Sequence, residues 1–492
     1  MSNHHLFGLF VIPAAAAVLW RGRRTLLEPR ALAVLVAFFV LGLLPYVYLP
    51  LASARLPRYG WGDETTLNGF LTHFLRRDYG TFELAAAGQG GSSTFTQRVR
   101  EFVAQLPKTL GWALPLSLLG AWAALRARRG RGVQIVLALM VVVYLGIFLG
   151  RANLPLTYPL QRGIHARFWQ QADLILFVWA GVGLWALSML LPPRFARAVR
   201  VGVPLVALGG VVLTLVLHYR AQDRSQTAEV RDFARAVLET MPRDALLIAS
   251  GDYLTQSMHY LQDHEAMRTD VRIVDHVMLQ QPWEVSRVAK YEPDVVLPGI
   301  RLASPPEGRA FDLEGFMEAN AAHHPILVAN GIRIADASWQ QGFNSWPIGL
   351  VQWMIPKSRE LDYEEWLRRD AEALARFTPP PRGRYSEESW EHEVLRQYWF
   401  ARYTHGVELI NYATRHDSDR RASERAVQTL ESVVAAGVFV QPQVYKTLGG
   451  AYGVLSVHDS TARAGMIRSF NRYLELAPEA SDRAEVRAMM AQ

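Results

Sequence analysis

The run Ala31–Leu51 (ALAVLVAFFVLGLLPYVYLPL) carries no charge over its whole length, and it limits what the chain can fold into. A helix rises about 1.5 Å per residue and the hydrocarbon core of a bilayer is about 30 Å thick, so roughly 20 apolar residues cross it. Central Leu, Ile, Phe and Val each favour insertion by about 0.3–0.6 kcal/mol, which sums to several kcal/mol for this run. Five more apolar runs follow the same logic: Leu6–Trp20, Thr109–Leu125, Val133–Gly150, Ala172–Leu191 and Val201–Leu217. Up to about residue 218 such runs alternate with short arginine clusters, whereas beyond it charge is dispersed and apolar residues recur with globular spacing. A chain of 492 residues also exceeds what one hydrophobic core supports. The expectation is a six-span helical membrane domain over 1–218, followed by a water-facing half.

The arginines orient the spans. One cluster holds Arg21, Arg23, Arg24 and Arg30, a second Arg126, Arg128, Arg129 and Arg131, and a third Arg194, Arg197 and Arg200. If six helices alternate, all three clusters share a side, which is cytoplasmic by the positive-inside rule. The loops 52–108 and 151–171, and everything after His218, then lie across the membrane, in the periplasm if this is a bacterial inner-membrane protein. These clusters also account for the formal charge of +7. With no basic stripe interleaved with aromatics, nucleic acid is not an expected partner. The chain has no cysteine, which excludes disulfides and thiolate metal sites. The pairs His4-His5 and His323-His324 lack partners at ligand spacing, so no metal is expected. Leu6–Trp20 spans only about 22 Å as a helix, and Ser2–His5 carries no lysine or arginine. Either that span extends back through His4 and His5, or the natural protein begins further upstream.

In the second half, Arg220–Met241 reads as a connecting helix. Ala245–Ser250 reads as a strand ended by Gly251-Asp252, Leu254–His264 as a helix and Val271–Asp275 as a second strand. Strand, helix, strand predicts a parallel βαβ unit, with Ile326–Asn330 and Ile348–Ile355 as further strands. A small α/β domain is expected within 219–378. Glu364–Arg376 is an amphipathic helix, and Pro379, Pro380 and Pro381 mark a linker. The region 382–492 reads as helical. Its Leu448-Gly449, Tyr452, Phe470 and Pro478 fit a tetratricopeptide-like hairpin if about five residues around His458 are an insertion; a plain helical bundle fits as well. Either would offer a surface to a protein partner.

The outer loop contains Trp61–Phe82 (WGDETTLNGFLTHFLRRDYGTF), dense in aromatic, acidic and paired arginine residues. Arg76 and Arg77 stand on the side where the positive-inside rule disfavours arginine, and guanidinium groups bind phosphate oxygens in bidentate geometry. A lipid phosphate at the interface would account for them; so would a solvated face paired with Asp78 or Glu83. Asp63 and Glu64 are candidates for general base, since sugar transfer needs a proton acceptor near the nucleophile, yet Asp63 before Thr65-Thr66 also fits a helix cap. Arg162, His165 and Arg167 lie beside Trp169 in the second outer loop, placed either for a phosphate or for snorkelling. Gly251-Asp252 sits where open α/β sheets bind ligands, though no glycine-rich phosphate loop follows.

The loop motif resembles the corresponding loop of the polytopic protein O-mannosyltransferases of animals and their bacterial relatives. Further landmarks agree in order: Ser2-Asn3-His4-His5, Arg167-Phe168-Trp169-Gln170-Gln171, Gly251-Asp252 followed by His259-Tyr260-Leu261-Gln262, and Arg268–Asp275 leading to Pro282-Trp283. The resemblance runs to about residue 360. It implies part of a GT-C-type glycosyltransferase, moving a sugar such as mannose from a polyprenyl-phosphate carrier to a protein or glycan acceptor on the non-cytoplasmic side. In that family further spans and an acidic loop precede the asparagine-histidine landmark, so the catalytic acid is expected upstream of this sequence. No cofactor is implied beyond the lipid-linked donor. Arg76, Arg77, Arg162, His165 and Arg167 become candidates for donor phosphate, and Trp61, His73, Asp78, Tyr79, Trp169 and Asp252 for sugar or acceptor. The rival reading is a non-catalytic membrane scaffold that binds a partner through its second half.

Overall fold

All six apolar runs fall on helices. The computed structural model describes residues 5–26, 28–79, 93–128, 130–359, 361–439 and 441–491. Its chain divides into two compact units, Met1–Gln226 and Thr227–Gln492.

In the first unit, α1 (His5–Leu26) precedes α2 (Pro29–Leu43), which continues through a 3-10 turn at Leu44–Val47 into α3 (Tyr48–Ser53). The short α4 (Leu67–Phe74) and the longer α5 (Phe95–Leu110) belong to the first predicted outer loop. Then come α6 (Ala113–Arg126), α7 (Arg131–Arg151), α8 (Pro159–Arg167), α9 (Gln170–Ser188) and α10 (Ala196–Gln222). Four segments are long and apolar enough to cross a bilayer: Pro29–Ser53, Arg131–Arg151, Gln170–Ser188 and Pro193–Arg220. The other two predicted spans lie on α1, whose last turn carries Arg23 and Arg24, and on α6, a shorter apolar helix of 14 residues. The expected start of that span at Thr109 falls inside α5, because Gly111, at φ +51°, breaks the chain between α5 and α6.

Two kinds of apolar helix face can be told apart here. Pro29–Ser53 and Pro193–Arg220 bury none of their apolar stretch inside the protein. In water, leaving a Val, Leu, Ile or Phe side chain uncovered forfeits about 1.5–3 kcal/mol each, so a lipid solvent is what makes such helices stable. By contrast, α1, α5, α7 and α9 share a core around Tyr144, Phe148, Trp169 and Ala172. The α6–α9 crossing is closer still: a Cβ on Gly120 would lie 1.7 Å from the Trp179 carbonyl oxygen, and one on Gly183 2.1 Å from that of Leu116. Small residues that let backbones touch are the usual means of packing helices where no hydrophobic drive separates helix from lipid.

The second unit opens with α11 (Glu229–Thr240). The expected single connecting helix is therefore two, separated where Asp223 turns the chain by accepting a hydrogen bond from Ser225 N at 2.9 Å. Strand β1 (Leu246–Ala249) leads through α12 (Asp252–His264) to β2 (Arg272–Asp275), and α13 (Pro282–Tyr291) follows. A small two-stranded pair, β3 (Arg301–Leu302) and β4 (Ala310–Phe311), precedes α14 (Leu313–Asn320) and β5 (Ile326–Ala329). After the single turn α15 (Trp339–Gly342) come β6 (Phe343–Ile348) and β7 (Val351–Pro356). The main sheet has the order β2-β1-β5-β7-β6. β1 pairs in parallel with β2 and with β5, as the βαβ reading requires. The strand expected over Ile348–Ile355 is instead the middle of an antiparallel hairpin, turned at Gly349-Leu350 with Gly349 at φ +60°. Along β1 the side chains alternate in destination: Leu247 and Ala249 join α11 and α12 in one core, while Leu246 and Ile248 join α13 and α14 in another. Helices thus cover both faces, which is why these strands are continuously apolar.

The remaining helices are α16 (Tyr363–Leu374), α17 (Trp390–Arg415), α18 (Arg420–Ala436), α19 (Pro442–Leu455), α20 (Ala462–Leu476) and α21 (Arg483–Ala491). They belong to the same compact unit as the sheet: Trp346 and Ile348 of β6 share a core with Trp366, Leu409, Leu430 and Leu448. The interruption expected around His458 lies between α19 and α20.

Candidate functional site

The segment 61–79 folds around two local devices. Gly62 sits at φ +88°, and a Cβ there would come within 2.8 Å of Glu64 Oε1, so the turn needs glycine both for its backbone angle and for space. Thr66 caps α4 by accepting a hydrogen bond from Gly69 N at 3.0 Å. Between them Asp63 accepts from Thr65 N at 3.1 Å and from the Thr65 hydroxyl. That closes a local turn ahead of the helix and occupies Asp63 there, while the cap itself is Thr66. Glu64 is different. Its side chain is buried, its backbone N–H donates to Ser53 Oγ at 3.0 Å, and its Oε1 lies 2.9 Å from His73 Nδ1. The two atoms are at ion-pair distance without hydrogen-bond geometry, since the buried Glu64 Oε1 has no hydrogen-bond partner among the described residues, and the His73 ring remains one-third exposed.

Arg76 is half-buried and holds a left-handed backbone at φ +51°, uncommon for a residue other than glycine. Arg77 and Asp78 are exposed, and Arg77 Nη1 donates to Asn68 Oδ1 at 3.3 Å. Trp61 is 40% exposed. For Tyr79 the backbone alone is described, as the end of the 3-10 turn Arg77–Tyr79; the motif's last residues, Gly80–Phe82, and Glu83 lie outside the described residues.

A second cluster joins α5 to the loop 151–171. Thr94 forms a capping box with Gln97, which starts α5 so that Arg98, Phe102 and Leu110 share its buried face. Arg98 donates through Nη1 to the Ala152 carbonyl oxygen, and burial lowers its pKa. The neighbouring Leu154 carbonyl accepts from Ser93 Oγ at 3.4 Å and from His165 Nε2 at 3.1 Å. His165 is fully buried, and its pKa is pushed down, first by burial and further by the Arg98 charge. It is therefore a neutral ring whose Nε2 carries the proton. Its Nδ1 has no hydrogen-bond partner among the described residues, nor have Arg98 Nε, Gln161 Oε1 and Trp169 Nε1. Buried polar atoms are nearly always satisfied, and an orphan costs about 1–3 kcal/mol. Trp169 itself packs edge-on against Phe102, 5.6 Å between centroids. Arg162 is half-buried and Arg167 exposed.

The structure therefore brings Glu64 to His73, and His165 and Trp169 to α5, while Asp63 goes to its own turn. Asp252 lies in the second unit, exposed in the first turn of α12 at the carboxyl end of β1. Arg98 and Ser53 were not foreseen. Arg98 had a legible signal, since it lies four residues before Phe102 on the apolar face of a helix in a water-facing loop.

Residues 230–295 match the family model described as TMEM260-associated domain 2. The chain is 32% identical over 425 residues to the mouse protein O-mannosyl-transferase TMEM260, an alignment covering 82% of this chain and 58% of that protein. To its counterpart in Dictyostelium discoideum it is 26% identical over 467 residues, covering 88% of this chain and 56% of the relative. The chain thus spans somewhat over half the length of these curated relatives. No solved structure matches it. The chain is homologous to the TMEM260 protein O-mannosyl-transferases.

Proposed function

We propose that this chain works in a membrane glycosyltransferase of the GT-C type, in which a hexose, mannose by analogy with the relatives, moves from a polyprenyl-phosphate carrier to a protein hydroxyl on the non-cytoplasmic side. The observation that carries the reading is the homology, over most of this chain, to proteins named protein O-mannosyl-transferases. In the transfer the acceptor oxygen forms a bond to the anomeric carbon and the bond from that carbon to the carrier phosphate breaks. The acceptor's proton goes to a base and the phosphate departs with its negative charge. His73, one-third exposed and with Nδ1 2.9 Å from Glu64 Oε1, is the residue proposed to receive that proton. Arg76, Arg77, Arg162 and Arg167 supply guanidinium groups for the departing phosphate. Nδ1 of neutral His165 is placed to accept from a sugar hydroxyl and the indole N–H of Trp169 to donate to a sugar or phosphate oxygen, and Trp61 offers a half-exposed ring to the sugar face. Consecutive helices α17–α20, read as tetratricopeptide-like, are the surface proposed for a protein partner.

The test is mannose transfer from a polyprenyl-phosphate mannose donor to an acceptor protein, in membranes containing the full-length protein. His73→Gln is expected to lower turnover about 100-fold or more, as loss of a general base does, with expression unchanged. Transfer at the wild-type rate in both His73→Gln and Glu64→Gln would remove this pair from the reaction. Absence of any transfer by the wild-type protein, with the donor shown to be intact, would favour a scaffold.

A further inference from the structure

The second unit contains a cavity of about 400 Å³ between α16, α17 and α18, lined among others by Asp370, Arg402, His405, Arg425, Thr429 and Ser432. That is within the roughly 300–1,000 Å³ usual for small-molecule sites. At its inner end Asp370 is buried and fully engaged: Oδ1 accepts from Gly349 N at 2.9 Å and Oδ2 from Arg402 Nη1 at 3.2 Å. His405, 3% exposed and packed on Trp366 at 4.9 Å between centroids, places Nδ1 3.5 Å from Asp370 Oδ1. That is too long for a strong hydrogen bond, and Nδ1 has no other partner among the described residues. At the rim stand Arg425 and Ser432, both exposed, and Arg425 forms no ion pair among the described residues.

A buried Asp–Arg pair that only braces helices needs no polar space beside it. Here the space exists, and its walls carry two guanidinium groups against one carboxylate, with a hydroxyl from Thr429. The charge balance is one positive in excess. Arg402 has one nitrogen on Asp370, which leaves the rest of its fork for a second oxygen ligand, and a fork of this kind matches a planar or tetrahedral oxyanion. We propose that this cavity is a binding site for a small oxyanion, a carboxylate or a phosphate carried on a small molecule, held between Arg402 and Arg425. It lies in the α/β unit and does not depend on the transferase reading.

The test is calorimetric titration of the detergent-solubilised full-length protein with inorganic phosphate and, separately, with succinate. Saturable binding of either probe, weakened about tenfold or more by Arg425→Gln and abolished by Arg425→Glu, supports the proposal; the probe that binds identifies the oxyanion. Arg425 is exposed and unpaired among the described residues, so neither variant is expected to shift the Tm of the ligand-free protein. A Ser432→Phe variant, which places a ring at the rim, should also weaken binding. No saturable binding of either probe overturns the proposal. So does binding that survives Arg425→Glu and Ser432→Phe but disappears when Arg76 and Arg77 are replaced by Gln, which would move the anion site to the membrane unit.

Discussion

His276 shows how a single side chain can serve structure in a position that resembles a site. It is fully buried at the carboxyl end of β2, its Nδ1 2.8 Å from the Ala249 carbonyl oxygen and its Nε2 accepting from Arg333 N at 2.9 Å. Both nitrogens are occupied by a neutral ring, and burial, with the Arg333 charge adding, pushes the pKa down to about 4. His405 is likewise pushed down to about 4, chiefly by burial, with Arg402 and Arg425 also lowering it. In each case the unfolded chain binds the proton more readily than the folded one. Their contribution is present above the unfolded value near 6.5 and is lost as pH falls toward 4. Asp275 has the opposite sign: burial raises it to about 6, so its contribution is present in acid and lost as pH rises from about 4 to 6. Two histidines outweigh one aspartate, and at about 1.4 kcal/mol per pKa unit the balance is a few kcal/mol. The second unit should therefore unfold at a distinctly lower temperature at pH 4.5 than at pH 7, which calorimetry would read. His276→Leu, which orphans the Arg333 amide while the Ala249 carbonyl keeps the backbone N–H of residue 276, should cost about 1–3 kcal/mol in denaturant unfolding of that unit.

The elements divide into those the sequence announces and those set by distant contacts. β1, β2 and β5 were legible because strands buried on both faces are continuously apolar and end in turn residues, as at Ser250-Gly251. The β6–β7 hairpin was missed because Ile348–Ile355 has one glycine in an otherwise unbroken apolar pattern. What identifies Gly349 as a turn is its backbone N–H on Asp370, 21 residues away. The Thr65-Thr66 start of α4 was legible from capping chemistry. The Glu64–His73 pair was not, since its spacing of nine residues becomes a contact only through the Gly62 turn and one helix. The α6–α9 crossing was equally invisible in apolar composition. It predicts that Gly120→Val or Gly183→Val forces the two backbones apart and costs about 3 kcal/mol or more, beyond ordinary overpacking. Thermal aggregation of the variants in detergent checks this, with Gly181→Val, whose Cβ meets nothing within 4 Å, as the neutral control.

At the scale of the whole chain, the apolar runs and arginine clusters were enough to foresee helices long and apolar enough to span a membrane. The proline-marked linker at 379–381 was less informative, because the helices beyond it share the cores of the sheet. The sidedness argument makes its own prediction. Alkaline phosphatase fused after residue 230 should be active and a cytoplasmic fluorescent reporter at the same point dark; the reverse pattern would contradict the assignment of the arginine clusters to the cytoplasm. The central proposal is that the predicted outer segments of the membrane unit hold a polyprenyl-phosphate donor. Its most direct test is photo-crosslinking of the full-length protein with a diazirine-bearing polyprenyl phosphate, with the labelled peptides mapped by mass spectrometry. The account predicts label concentrated in residues 61–79 and 159–169, and reduced about tenfold when Arg76 and Arg77 are both replaced by Gln, from the loss of charge-assisted hydrogen bonds. Label spread evenly over the lipid-facing helices Pro29–Ser53 and Pro193–Arg220, and insensitive to that double substitution, would contradict it.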